Sequence, residues 1–105
     1  MNHNPNPQLG PAMALVALLK EHPELPRVDW SVSTSGFLSG THVADYDARP
    51  LMDAYAAVIG GTPIESTYSR GGDERHTFHL MTDWRDVHFD LWVSCPASVV
   101  QAVAA

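Results

Sequence analysis

The stretch that decides the fold is Val87-His88-Phe89-Asp90-Leu91-Trp92-Val93-Ser94-Cys95. Val87, Phe89, Leu91 and Val93 alternate with His88, Asp90 and Trp92, the two-residue period of a strand with one face buried. Upstream, Arg75 to Met81 carries Phe78 and Leu80, and the polar segment Thr82 to Asp86 between the two runs reads as a loop. Together they predict an antiparallel hairpin. With Thr82 across from Val87, Leu80 faces Phe89 and Phe78 faces Leu91. The other face then pairs His79 with Asp90, Met81 with His88 and Thr77 with Trp92. A further strand, Thr62 to Ser69, joins through Arg70-Gly71-Gly72-Asp73 and sets Ile64, Ser66 and Tyr68 beside Phe78 and Leu80. That register lays Glu65 next to His79 and yields an outer row Glu65–His79–Asp90, which a slip of one residue would destroy.

The first half repeats the scheme of a helix followed by strands. Met1 to Gly10 is polar and rich in Asn and Pro, the composition of a disordered leader. Pro11 to His22 carries Leu15, Leu18 and Leu19 at helical spacing, and Pro23 and Pro26 stop the helix. Arg27 to Thr34 alternates with Val28, Trp30 and Val32 on one face. Ser35-Gly36 suits a hairpin turn, and Phe37 to Val43 returns as a strand weakened by Gly40, with Asp29 facing His42. A second helix follows: Asp45 or Asp47 caps it, Pro50 sits in its first turn, Leu51, Met52, Tyr55, Val58 and Ile59 form its apolar stripe, and Gly60-Gly61 ends it. Beyond Pro96 the tail is a short third helix or frays. The order α-β-β-α-β-β-β(-α) predicts one α+β domain over residues 11–105: an antiparallel sheet of about five strands with two or three helices packed on one face.

Composition narrows the function classes. The chain has 105 residues, 45% of them hydrophobic and 17% charged, which excludes wholesale disorder. Twelve acidic residues against six basic ones give a net charge of −6, and no run of Lys or Arg provides the basic footprint of direct nucleic-acid binding. The acidic residues are scattered, as solubility alone requires. The one cysteine, Cys95, excludes an intrachain disulfide and reads as a buried, inert thiol. Ala12 to Leu19 is too short to cross a bilayer, and no basic segment precedes it as a secretory leader requires. The expectation is a cytoplasmic protein without a membrane association.

Six histidines invite a search for chemistry. His3 lies in the leader and His22 ends a helix. His76 and His79 are three apart, so on a strand they point to opposite faces and H-T-F-H is not by itself a metal motif. Glu65, His79, His88 and Asp90 remain as candidate ligands for a metal or small molecule, although nothing fixes a third or fourth donor in place. No nucleophile elbow and no glycine-rich phosphate loop is present, so no cofactor is expected, and an enzyme using His79 as a general base ranks as the third reading. Trp92, with Met81 and Thr77, falls on the face away from the core strip. An exposed Trp there would anchor a protein partner, unless the second helix or the C-terminal tail covers it. The leading expectation is a non-enzymatic protein-interaction module that forms a homodimer; the alternative is a ligand- or metal-binding protein using the His/carboxylate face.

The run L-L-K-E-H-P-E-L-P-R-V-D-W-S-V, Leu18 to Val32, resembles a group of small actinobacterial and phage proteins in which a leucine helix ends in H-P-x-L-P before a strand bearing Trp. Ala56 to Gly61 and His88 to Val93 are similar to the same group. These motifs are a helix stop, a strand and a glycine exit, and the resemblance implies a lineage but no activity or site.

Overall fold

In the computed structural model, residues 6–100 are described. Two helices, α1 (Leu9–Glu21) and α2 (Arg49–Ile59), accompany five strands: β1 (Asp29–Val32), β2 (Phe37–Val43), β3 (Ile64–Arg70), β4 (Asp73–Trp84) and β5 (Val87–Pro96), with a 3₁₀ turn at Ala97–Val99. The strands form one sheet in the order β1-β2-β5-β4-β3.

The expected antiparallel sheet is corrected to a mixed one, because β2 and β5 run parallel, Phe37 beside His88 through Val43 beside Ser94. Alternation shows which face of a strand is buried and says nothing about its neighbour or its direction. The chain makes a β1–β2 hairpin and a β3–β4–β5 meander, and α2 with the first two meander strands forms the long connection that a parallel pair requires.

Three registers also differ from the sequence reading. β4 continues through the expected loop to Trp84, and Arg85 and Asp86, at φ 52° and 63°, make a two-residue turn of the primed type. Leu80 therefore faces Leu91, Phe78 faces Val93 and Thr82 faces Phe89. This shift of two residues keeps every side chain on its expected face. At β3 the shift is one residue, which turns the strand over: Ile64 pairs with His79, and Glu65 with Phe78. Gly71 and Gly72, both at positive φ, close a two-residue loop that fixes Arg70 across from Asp73. In the first hairpin Asp29 faces Thr41 rather than His42, and the His42 ring hydrogen-bonds the Tyr46 hydroxyl at 3.1 Å.

One face of the sheet is the core. Leu38, Phe78, Leu80, Phe89, Leu91, Val93 and Cys95 are fully buried there, together with Leu18 of α1 and Met52 of α2. Trp30 packs edge-on against Tyr55 and Phe89, with centroids 5.9 Å apart in each pair. Burial pushes the Tyr55 phenol up to about 12, and its hydroxyl donates to the Pro26 carbonyl. Gly40 is required in β2: a Cβ there would meet Leu91 Cδ1 at 2.8 Å and the Trp30 ring at 2.9 Å.

Part of the stretch read as a leader is ordered. α1 begins at Leu9, and the Gln8 side-chain amide donates to the Val32 carbonyl at 3.1 Å. The first five residues of that leader and the last five of the tail lie outside the described residues.

Candidate interaction surface

With both helices on the core face, the opposite face has no covering layer among the described residues. The ladders place its side chains in rows across all five strands. Ile64, His79, Trp92, Thr41 and Asp29 form the central row; Met81, Asp90, Ser39 and Ser31 lie on one side of it, and Ser66, Thr77, Ser94 and Val43 on the other. Five large apolar side chains stand exposed here: Val43, Ile64, Tyr68, Met81 and Trp92. Two were anticipated from the sequence. Val43 was missed because its neighbour across β5 was unknown. Ile64 and Tyr68 were missed because β3 was read one residue out of register, and the two-residue Gly71-Gly72 loop was the signal that would have corrected it.

His79 is the ordered centre of the face. Its ring stacks on Trp92 with centroids 3.8 Å apart and planes at 18°, and its Nε2 donates to Asp90 Oδ1 at 2.5 Å. Asp90 lies diagonally across the ladder, since Met81 is its direct neighbour. The pairing expected between His79 and Asp90 thus forms, by a different register. The stacking buries one indole face against the imidazole and leaves Trp92 43% exposed.

Thr77, the third interface candidate, is 7% exposed, so it is a floor rather than a contact residue. Its Oγ1 is buried and makes no hydrogen bond. It lies under a depression of about 250 Å³ walled by Thr41, Val43, Tyr68, Trp92 and Ser94. Ser94 Oγ on its wall accepts a hydrogen bond from the Arg75 guanidinium at 3.1 Å.

The candidate ligand set does not converge. His79 and Asp90 meet, but Glu65 lies on the helix face, held by Arg49 in a two-pronged ion pair at 2.6 and 2.9 Å and by His76 Nε2 at 2.8 Å. The Arg49 hydrogen bonds, aided by His76, hold the Glu65 carboxyl below its usual range against an opposing contribution from burial. The row Glu65–His79–Asp90 is therefore corrected to two separate pairings on opposite faces, because β3 is turned over. His88 bonds Asp83 at 3.1 Å and not His79. Among the described residues no three His, Cys, Asp or Glu side chains are grouped to hold a metal ion. No described helix is long and apolar enough to cross a membrane.

No protein-family model, no curated protein and no solved structure matches this chain.

Proposed function

We propose that this chain is a non-enzymatic protein-interaction module that associates with itself through the open face of its sheet, with Trp92 at the centre of the contact. The observation that carries the reading is the gathering of Val43, Ile64, Tyr68, Met81 and Trp92 on one uncovered face; among the described residues the other large exposed apolar side chains are Tyr46 and four on α1. Clustered apolar exposure of this kind marks contact surfaces. Trp is the residue most enriched where binding energy concentrates, and here its ring is already oriented by His79. The ionisable groups beside it are matched in advance: His79 with Asp90, and His88 with Asp83. Covering these two pairs leaves neither of their carboxylates without a hydrogen-bond partner. Two such faces stack at about 10 Å, the spacing of packed sheets. A single buried cysteine fits a reducing compartment, in keeping with a cytoplasmic location.

Sedimentation equilibrium over a wide concentration range tests this. The unaltered chain should self-associate, and Trp92→Ser should weaken its association at least about tenfold, the effect of losing roughly 1.4 kcal/mol of contact energy. A chain that stays monomeric throughout, or one whose association is unchanged by Trp92→Ser, overturns the proposal.

A further inference from the structure

The two edges of the sheet are built differently. β1 is four residues long, and the Gln8 side chain already occupies the Val32 carbonyl. Short strands and covered carbonyls are standard protections of a sheet edge. β3 has neither. It runs seven residues from Ile64 to Arg70 and, among the described residues, pairs only with β4. It contains no Pro and no Lys, and Ile64 to Ser69 are exposed on both faces of the sheet. Its one carboxylate, Glu65, is bound to Arg49 and His76 of the same chain and does not guard the edge.

The hairpin loop shows which backbone groups face outward. The two-residue loop Gly71-Gly72 makes Arg70 and Asp73 the hydrogen-bonded pair next to the turn. Bonded and non-bonded pairs then alternate, so Tyr68 and Ser66 bond to β4, while Ser69, Thr67 and Glu65 turn their N–H and C=O groups to the free edge. These three residues are symmetric about Thr67.

We infer that the β3 edge is a second, twofold contact between copies of this chain, in which β3 pairs antiparallel with β3 of another copy about Thr67. In that register Thr67 faces Thr67 of the second copy, Glu65 faces Ser69 and Ser66 faces Tyr68. All outward groups of Glu65, Thr67 and Ser69 are satisfied at once, giving about six inter-chain hydrogen bonds. The two Glu65 carboxylates lie diagonally apart, and no like charges oppose. Threonines directly across from one another are a favourable cross-strand pair. The twofold axis stands perpendicular to the sheet, so the product is a continuous ten-stranded sheet with the helices of both copies on one side and both Trp92 faces on the other. A register displaced by one residue would oppose inward-pointing groups, so the edge admits this pairing and rejects its immediate neighbours. The inference stands apart from the face contact, since it rests on the outward backbone groups of Glu65, Thr67 and Ser69 and not on Trp92, and uses another symmetry axis.

Disulfide trapping in a Trp92→Ser background separates the two contacts. Bonded antiparallel pairs have Cα atoms about 5.5 Å apart, inside the range a disulfide spans. Thr67→Cys, treated with diamide, should give a covalent dimer. Ser69→Cys should not, because two such residues would lie about 13 Å apart along the strands. Both positions are exposed, and the native Cys95 is buried and does not compete. Thr67→Pro, which removes an N–H that β4 does not use, should abolish dimers seen by sedimentation in that background while leaving the unfolding midpoint nearly unchanged. Equal cross-linking at 67 and 69, or none at either, overturns the inference whatever Trp92→Ser does to association.

Discussion

The His79 imidazole lies flat on the Trp92 indole, 3.8 Å between centroids, and the two residues are direct neighbours across the β4–β5 ladder. Asp90 grips the same imidazole from the adjacent row, and both partners of that bond are largely shielded, at 17% and 26% side-chain exposure. One side chain thus links a charge to an aromatic platform. The indole is held in a single orientation before any partner arrives, which reduces the ordering cost of a contact made through it.

A double-mutant cycle over His79→Ala and Asp90→Ala should give a coupling energy of about 1 kcal/mol, the scale of a partly shielded charged hydrogen bond. Near-UV circular dichroism should weaken in both single variants as Trp92 loses its fixed setting. Additive stabilities, within about 0.3 kcal/mol, would show that the bond contributes nothing.

The Arg85-Asp86 turn carries two non-glycine residues at positive φ, 52° and 63°. That conformation costs an L-residue roughly 1–2 kcal/mol, less for Asp, and glycine adopts it freely. Asp86→Gly should therefore raise stability by about 0.5–1 kcal/mol in urea unfolding. Arg85 is better left unchanged: it bonds Glu21 of α1 at 2.6 Å and lies over the Trp84 ring at 4.4 Å. A loss of stability in Asp86→Gly would mean that the Asp86 side chain holds the turn.

These two positions also show how far the sequence could be read. Alternation in Val87 to Cys95 revealed the inward face of β5 correctly, because burying one face of a strand is a local property. Both helices were legible for the same reason: apolar spacing, proline stops and the Gly60 exit are local signals. Register was not, since Arg85-Asp86 lacks the glycine that announces a primed turn, and the hairpin was read two residues too loose. At Gly71-Gly72 the glycines do announce a two-residue turn, and the register it sets turns β3 over and separates Glu65 from His79. The parallel β2–β5 contact had no local signature at all. It arises where the β1–β2 hairpin and the β3–β4–β5 meander join edge to edge through backbone hydrogen bonds, and only the assembled chain expresses it.

Gly40 was read as a weak point in β2, whereas the packing makes it a requirement. Leu91 Cδ1 and the Trp30 ring lie 2.8 and 2.9 Å from where a Cβ would sit. Leu91 is fully buried in the central strand, so its retreat would press on the surrounding core. Gly40→Ala should cost about 1–3 kcal/mol by overpacking, even though alanine suits a strand better than glycine. A neutral or stabilising result in thermal or urea unfolding would show that Trp30 swings away without penalty.

Glu65 gives the fold an acid limb with a definite sign. Its folded carboxyl titrates below the ordinary range because Arg49, and then His76, hydrogen-bond the charged form. The unfolded carboxyl has a pKa of about 4.3, so in the acid range the unfolded chain binds more protons than the folded one. The stabilisation is therefore present above that range and is lost as pH falls through the depressed folded value. Side-chain exposure of 37% at Glu65 keeps the effect small, at about 1 kcal/mol or less. Glu65→Gln should accordingly be less stable than the native chain at pH 6, with urea midpoints converging as the pH approaches 3. A gap that stays constant over that interval would locate the loss in shape or hydrogen bonding rather than in charge. A gap that widens toward low pH would contradict the depressed pKa itself.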